Sequence, residues 1–103
     1  MRQFDVYLNP SVRSREGTPY LVVLQSHFLA ATPTTVVAPM LIDDDRSAYS
    51  EASVKAVFGG EPYVLSTLEL AGIEASSLGR RSGAVNDYDY EIRRALDRLF
   101  TGF

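Results

Sequence analysis

Few side chains in this 103-residue chain are equipped for chemistry. There is one histidine, His27, and no cysteine, which excludes thiolate chemistry, sulfur-built metal sites and clustered His ligation within one subunit. Asp43-Asp44-Asp45 is the most conspicuous acidic run. Neighbours on an extended strand point to opposite faces, and a calcium loop needs oxygen ligands at alternate positions with a distal Glu. The run therefore reads as a solvated loop or a helix start. His27 follows an apolar stretch without a Ser-His-Asp signature around it; it is either a general base or a partly exposed polar group at a strand end. Gly59-Gly60 lacks the spacing of a phosphate-binding loop and belongs to a turn. The arginines are richer. Arg13 and Arg15 lie in a long polar loop, where binding and catalysis often reside. An Arg with a hydroxyl or His near an RNA phosphate suits metal-free cleavage; the alternative is two solvated charges. Arg80-Arg81 and Arg93-Arg94 are doubled. Tyr7, Tyr20, Tyr88 and Tyr90 are too scattered for a base-stacking row. The sequence closes on Phe100-Thr101-Gly102-Phe103, an apolar stretch that either folds back on the body or fills a partner's pocket.

The elements that position these residues are mostly strands. Gln3–Leu8 alternates, with Phe4, Val6 and Leu8 on one face and Gln3, Asp5 and Tyr7 on the other, which predicts a half-buried strand. Asn9–Pro19 is a loop closed by Gly17 and Pro19. Tyr20–Ser26 is nearly all apolar and predicts a central strand buried on both faces. Thr34–Ile42 is a third strand, with Pro39 confined to an edge, a bulge or the strand end. Three strands without an intervening helix form an antiparallel meander. Ser53–Phe58 and Tyr63–Thr67 flank Gly59–Pro62 as a hairpin. Leu68–Ile73 fits a helical turn or a strand equally, and Ser76–Gly83 reads as a loop. Val85–Phe103 is an amphipathic helix: Val85, Tyr88, Ile92, Leu96 and Leu99 form one stripe with Ala95 beside them. Asn86 or Asp87 is the expected N-cap, Asp89 and Glu91 suit the first turn, and Gly102 ends the helix. Burying its five large apolar residues would contribute roughly 1.5–3 kcal/mol each. The fold class is thus mostly β, a small antiparallel sheet or barrel with one long C-terminal helix, in a single domain spanning 1–103.

Composition narrows the function. Hydrophobic content of 46% fits a folded domain. The net charge of −3 argues against a free-standing nucleic-acid binder, so no direct nucleic-acid binding is expected of the protein alone. No apolar run approaches a membrane span, and MRQFDVYL has no signal-peptide layout, so the expected location is cytoplasmic.

FDVYLN, YLVVLQS, TVVAPM, VKAVFGGEPYVLSTLELAGI, SSLG and YEIRRALDRLFTGF occur in the order that resembles the CcdB toxins, over nearly the whole chain. The resemblance implies an SH3-like small barrel with an additional small sheet and a C-terminal helix, a fold shared with MazF-type toxins. It implies a homodimer that is the toxin of a type II toxin–antitoxin pair, acting in plasmid maintenance and transcriptional autoregulation. Such toxins bind the DNA gyrase A subunit through their last three residues, use no cofactor or metal, catalyse nothing, and are neutralised by a CcdA-like antitoxin. Carried over, the gyrase-contacting residues are Thr101, Gly102 and Phe103. The gyrase-poisoning pattern reads Trp-Gly-Ile there. Gly102 matches, Phe103 exchanges one large apolar residue for another, and Thr101 replaces the indole, so Phe103 or Phe100 would have to act as anchor or the target differs. Arg13 and Arg15 are candidates for a partner-binding loop facing an acidic antitoxin tail. The alternatives are a metal-independent, MazF-like endoribonuclease using Arg13 or Arg15 with His27 or a hydroxyl, and a non-poisoning homologue that only binds antitoxin or another target.

Overall fold

The computed structural model describes residues 1–29, 31–44 and 49–102. Among these residues seven strands precede one α-helix: β1 (Asp5–Leu8), β2 (Tyr20–Val23), β3 (Thr34–Ile42), β4 (Ser53–Phe58), β5 (Glu61–Ser66), β6 (Ala71–Glu74), β7 (Arg81–Ala84) and α1 (Asp89–Thr101). Neighbouring strands run in the order β4-β5-β3-β2-β1-β7, with β6 added on β3. Every pairing is antiparallel. The β1-β2-β3 meander and the β4-β5 hairpin are those the patterning predicts. Gly59 and Gly60 both have positive φ, as a two-residue hairpin turn requires.

β3 explains both Pro39 and the expected additional small sheet, which is a branch, β6, of the one seven-stranded sheet. Its first half, Thr34–Val37, pairs with β6, and its last residues, Met40–Ile42, pair with β5. Ala38 and Pro39 fall between the two partners on that side while pairing Val22 and Leu21 of β2 on the other. The proline therefore sits mid-strand, where no ladder needs its missing N–H, rather than at a sheet edge. Leu68–Ile73 resolves into both of its readings, a 3-10 turn at Thr67–Glu69 and then β6.

The main core joins the concave side of the sheet to α1: Val6, Val22, Met40, Leu65 and Ile92 are all at or near zero exposure. A smaller cluster of Tyr7, Val23 and Val37 lies behind it, with Leu21, Ile73 and Leu78 packed alongside. β2 feeds both clusters, so its expected burial on two faces holds. β1 does the same, which corrects the half-buried reading: Phe4, Asp5, Val6 and Tyr7 are all buried, and Leu8 is exposed. The missing signal was β7. Ser76–Gly83 reads as a loop because it is short and polar, yet its end pairs with β1 at Asp5↔Ala84, Val6↔Gly83 and Tyr7↔Arg81.

The end strands of the sheet meet through side chains. A Cβ on Gly83 of β7 would lie 2.7 Å from the Phe58 ring of β4, so glycine there lets the ring close the gap. Phe58 and Tyr63 both meet Tyr20 edge-on, with ring centroids 5.1 and 5.7 Å away. The Val57 N–H on the free edge of β4 donates to the Tyr88 hydroxyl at 2.9 Å, which removes one exposed donor from that edge.

Candidate functional site

Two surfaces stand out, one on α1 and one on the β1–β7 side. The helix starts later than expected. Asn86–Tyr88 form a 3-10 turn, Tyr88 occupies the cap position, and no side chain caps the end, so neither Asn86 nor Asp87 serves as N-cap. Asp89 and Glu91 do occupy the first turn, and Asp89 accepts from Arg93 one turn on. Val85, Ile92 and Ala95 are buried and Tyr88, Leu96 and Leu99 half-buried, which matches the predicted stripe. Gly102, at φ +79°, ends the helix; its N–H donates to the carbonyls of Asp97 and Arg98.

Around this tip Phe100 is 69% exposed, and Thr101 and Gly102 are exposed. Phe100 thus does not extend the buried stripe. The Thr101 hydroxyl donates back to the Asp97 carbonyl at 2.7 Å, so it is committed to the helix. Phe103 lies outside the described residues, as does Asp45 of the acidic run. Along the outer side of α1, Tyr90, Arg94 and Arg98 face Tyr49, Glu51 and Lys55 across a groove of about 420 Å³. Arg98 pairs with Glu51 at 3.3 Å, and the Lys55 amine lies 5.2 Å from the Tyr49 ring centroid.

The second surface is concave and cationic. The Asn9–Pro19 loop is organised by Asn9, which is buried: its amide donates to Ser14 Oγ and to the Thr18 carbonyl, and its Oδ1 accepts from the Ser11 N–H. The Asn9 carbonyl accepts from Arg15 Nε at 2.5 Å. Arg15 therefore stands at the rim of a groove of about 720 Å³ with Leu8, Ser77, Arg80, Arg81 and Ser82. Arg13 is exposed on the same loop and does not line it. On the other side of Arg81 lies a cleft of about 580 Å³ that includes Asp5, Tyr7, His27, Asp89 and Arg93. Arg15 and His27 thus belong to different clefts that share Arg81 as a wall, and the hydroxyls beside Arg15 are Ser77 and Ser82.

Between the clefts is a tightly held pair. Arg81 Nε donates to Asp5 Oδ1 at 2.9 Å, and the Arg2 backbone N–H donates to Asp5 Oδ2 at 2.8 Å. Asp5 is nearly buried while Arg81 is about half exposed. Burial pushes the Tyr7 phenol above its ordinary pKa; Asp5 adds to the rise and Arg81 opposes it. Phe4 has φ +70°, a conformation that costs an L-residue about 1–2 kcal/mol. It is fixed there because its N–H donates to the Val23 carbonyl and its own carbonyl accepts from Val85 N–H. The Arg93 guanidinium lies over its ring at 5.6 Å and donates to Gln3 as well. The sequence showed the arginines; it could not show Asn9, Asp5 and Asp89 as the acceptors that hold Arg15, Arg81 and Arg93. Among the described residues no three His, Cys, Asp or Glu side chains cluster to hold a metal, and no helix is long and apolar enough to cross a membrane.

This barrel-and-helix arrangement defines a class. The chain is similar to a solved "Mtb toxin" structure at TM-score 0.68 and 18% identity, over 81% of this chain and 92% of that one. It is also similar to the Mycobacterium tuberculosis toxin MazF-mt6 at TM-score 0.70 and 15% identity, over 96% of each. At those identities the likeness establishes the CcdB/MazF-like toxin fold. The sequence carries the assignment further: the family described as CcdB protein matches residues 3–102, so the chain belongs to the CcdB family. It is a toxin of the toxin–antitoxin type. No curated protein matches the chain.

Proposed function

We propose that this toxin acts by seating the tip of α1 in a protein target, the DNA gyrase A subunit, rather than by catalysing a reaction, and that a CcdA-like antitoxin binds its homodimer. The observation that carries the reading is the exposed Phe100 on the last turn of a helix that is otherwise docked by its apolar stripe. With the Thr101 hydroxyl turned back onto the helix, Phe100 is, among the described residues of the tip, the large apolar side chain available to replace a missing indole. A buried aromatic at the centre of an interface is worth on the order of 2 kcal/mol or more. The test is a supercoiled-plasmid cleavage assay with purified gyrase. Linear DNA should accumulate with the toxin and fall about 30-fold in potency with Phe100→Ala. Absence of a trapped cleavage complex at saturating toxin overturns the proposal.

A second reading, metal-independent RNA cleavage, is favoured by one observation: Arg15 and Arg80 flank a groove that also holds the Ser82 hydroxyl, while the Ser77 hydroxyl there donates to the Glu74 carbonyl. Incubation with single-stranded RNA in EDTA tests it. Cuts at defined sequences that vanish in Arg15→Ala support this reading, and intact RNA removes it.

A further inference from the structure

We propose that Lys55 is an acylation site, and that the groove between α1 and β4 draws to it an anionic acyl donor of the acyl phosphate or acyl-CoA class. Neither functional reading above is needed for this. The starting point is a scarcity. Of the ten basic side chains nine are arginines, and Lys55 is the one lysine. A guanidinium stays protonated and is a poor nucleophile, whereas a lysine amine readily forms amides. Apart from the backbone amine at Met1, acyl chemistry on nitrogen has a single address in this sequence.

That address is accessible. Lys55 is exposed on β4, between the buried Val54 and Ala56. Its amine lies 5.2 Å from the Tyr49 ring centroid, an aromatic wall that holds it at the groove. Among the described residues no carboxylate pairs with it, and Glu51 of the same groove is taken by Arg98 at 3.3 Å. The facing wall is cationic. Tyr90, Arg94 and Arg98 are four residues apart on α1, so they share one helix face, and all three line the groove. Arg94 is exposed, and its guanidinium has no ion pair among the described residues. Lys55, Arg94 and Arg98 against Glu51 and Glu91 leave the groove at +1, in a chain whose total is −3. A donor that carries phosphate is drawn to such a face, and arginine matches its oxygens. A volume of about 420 Å³ suits a small molecule or the reactive end of a larger one.

The step is an acyl transfer. The neutral Lys55 amine attacks the carbonyl carbon of the donor. A C–N bond forms, and the bond from that carbon to the phosphate oxygen or the CoA sulfur breaks. Phosphate or thiolate leaves with the electron pair, and the proton lost by the amine passes to solvent. The resulting amide is uncharged, which takes the groove from +1 to 0. Arg98 lines the groove and Phe100 follows it by two residues, so acyl-donor supply sets the charge on the flank of the helix tip.

The experiment incubates the intact protein with acetyl phosphate or acetyl-CoA and follows each site by peptide mass spectrometry. Lys55 should acylate about 3-fold or more faster than the same lysine in a free peptide spanning Ser53–Phe58, as one nearby charge can supply. The faster donor names the source. Arg94→Gln should slow Lys55 acylation by both anionic donors to a similar extent. It should leave unchanged the reaction of Lys55 with a neutral N-hydroxysuccinimide ester of acetic acid. Acylation of the Met1 amine, which lies in the cleft beside Arg81, should be the same in that variant as in wild type. Lys55→Arg should carry no lysine adduct; thermal melts confirm that both variants fold. A rate no greater than that of the free peptide, or an Arg94→Gln variant that reacts as wild type with the anionic donors, overturns the proposal. So does an equal loss toward the neutral ester, which would make Arg94 a support for Lys55 instead of a recruiter of the donor.

Discussion

The tip of α1 and the concave β1–β7 side solve opposite problems. At the tip the helix is held from behind by Ile92 and Ala95, and among the described residues there the Phe100 ring is left in water. On the β1–β7 side three arginines are tied to neighbours: Arg15 to Asn9, Arg81 to Asp5, Arg93 to Asp89 and Gln3. One surface is suited to losing water against an apolar pocket. The other is suited to exchanging water for an anion without rearranging. The difference teaches that exposure alone does not identify a binding surface; what matters is whether the scaffold has already fixed the groups that will make contact.

The comparison assumes that α1 is part of the core and not a detachable arm. The sharpest way to break it is Ile92→Ala. Ile92 is fully buried in the main core with Val6, Met40 and Leu65, and such a truncation costs about 2–5 kcal/mol. For a chain of this size the midpoint of thermal unfolding should fall by more than about 10 °C in one cooperative transition. Two transitions, with the helix melting first, would show that the tip is mounted on a separate unit.

Gly83→Ala probes the other region. The added Cβ would meet the Phe58 ring at 2.7 Å, and that ring is already held edge-on by Tyr20. The expected loss is about 1–3 kcal/mol by urea unfolding. Gly79→Ala, in the same connection with nothing within 4 Å of the new Cβ, should be nearly neutral. Equal effects would mean that the meeting of β4 and β7 contributes little.

These two positions also mark what the sequence could say. The helix was legible because its apolar residues recur at helical spacing over several turns and Gly102 punctuates its end. β3 was legible as a largely apolar stretch, and β4 and the hairpin turn from alternation and paired glycines. β7 was not, since Arg81–Ala84 is short, polar and stabilised by pairing with β1 rather than by its own pattern. The same gap hid the cationic clefts. Arg15, Arg81 and Arg93 were visible as residue types, but a buried Asp5 inside an apparently half-exposed strand, and an Asn9 amide folded into its own loop, are tertiary facts. The N-cap failed for a related reason: the 3-10 turn at Asn86–Tyr88 takes up the residues that would have capped a helix beginning there.

A smaller effect should appear at alkaline pH. Burial raises the pKa of Tyr7 and of Tyr63, with Asp5 adding to the first and Tyr20 and Glu61 to the second. Their phenols ionise near pH 10 when unfolded, while in the folded protein they stay protonated to higher pH. The stability they contribute is therefore complete below that pH and is lost as pH rises through the folded values. Denaturation midpoints measured from pH 9 upward should fall, and Tyr7→Phe should make the fall shallower. An unchanged slope would place the alkaline sensitivity elsewhere, away from the cationic side.

The smallest expected effect is the one that most sharpens the contrast. Phe100→Ala removes a ring that is already in water, so folding stability should change by less than about 0.5 kcal/mol. Target engagement should suffer far more, because a ring on water's side in the free protein becomes buried only on binding and its whole transfer free energy appears in the affinity. Measuring both quantities on one variant separates a contact residue from a structural one. If urea unfolding shows a loss comparable to that of Ile92→Ala, the ring is holding the fold and the tip ceases to be a binding surface. If stability is unchanged and growth arrest in the expressing cell is unchanged too, the toxin reaches its target by another face, and the fixed arginines of the β1–β7 side become the first place to look.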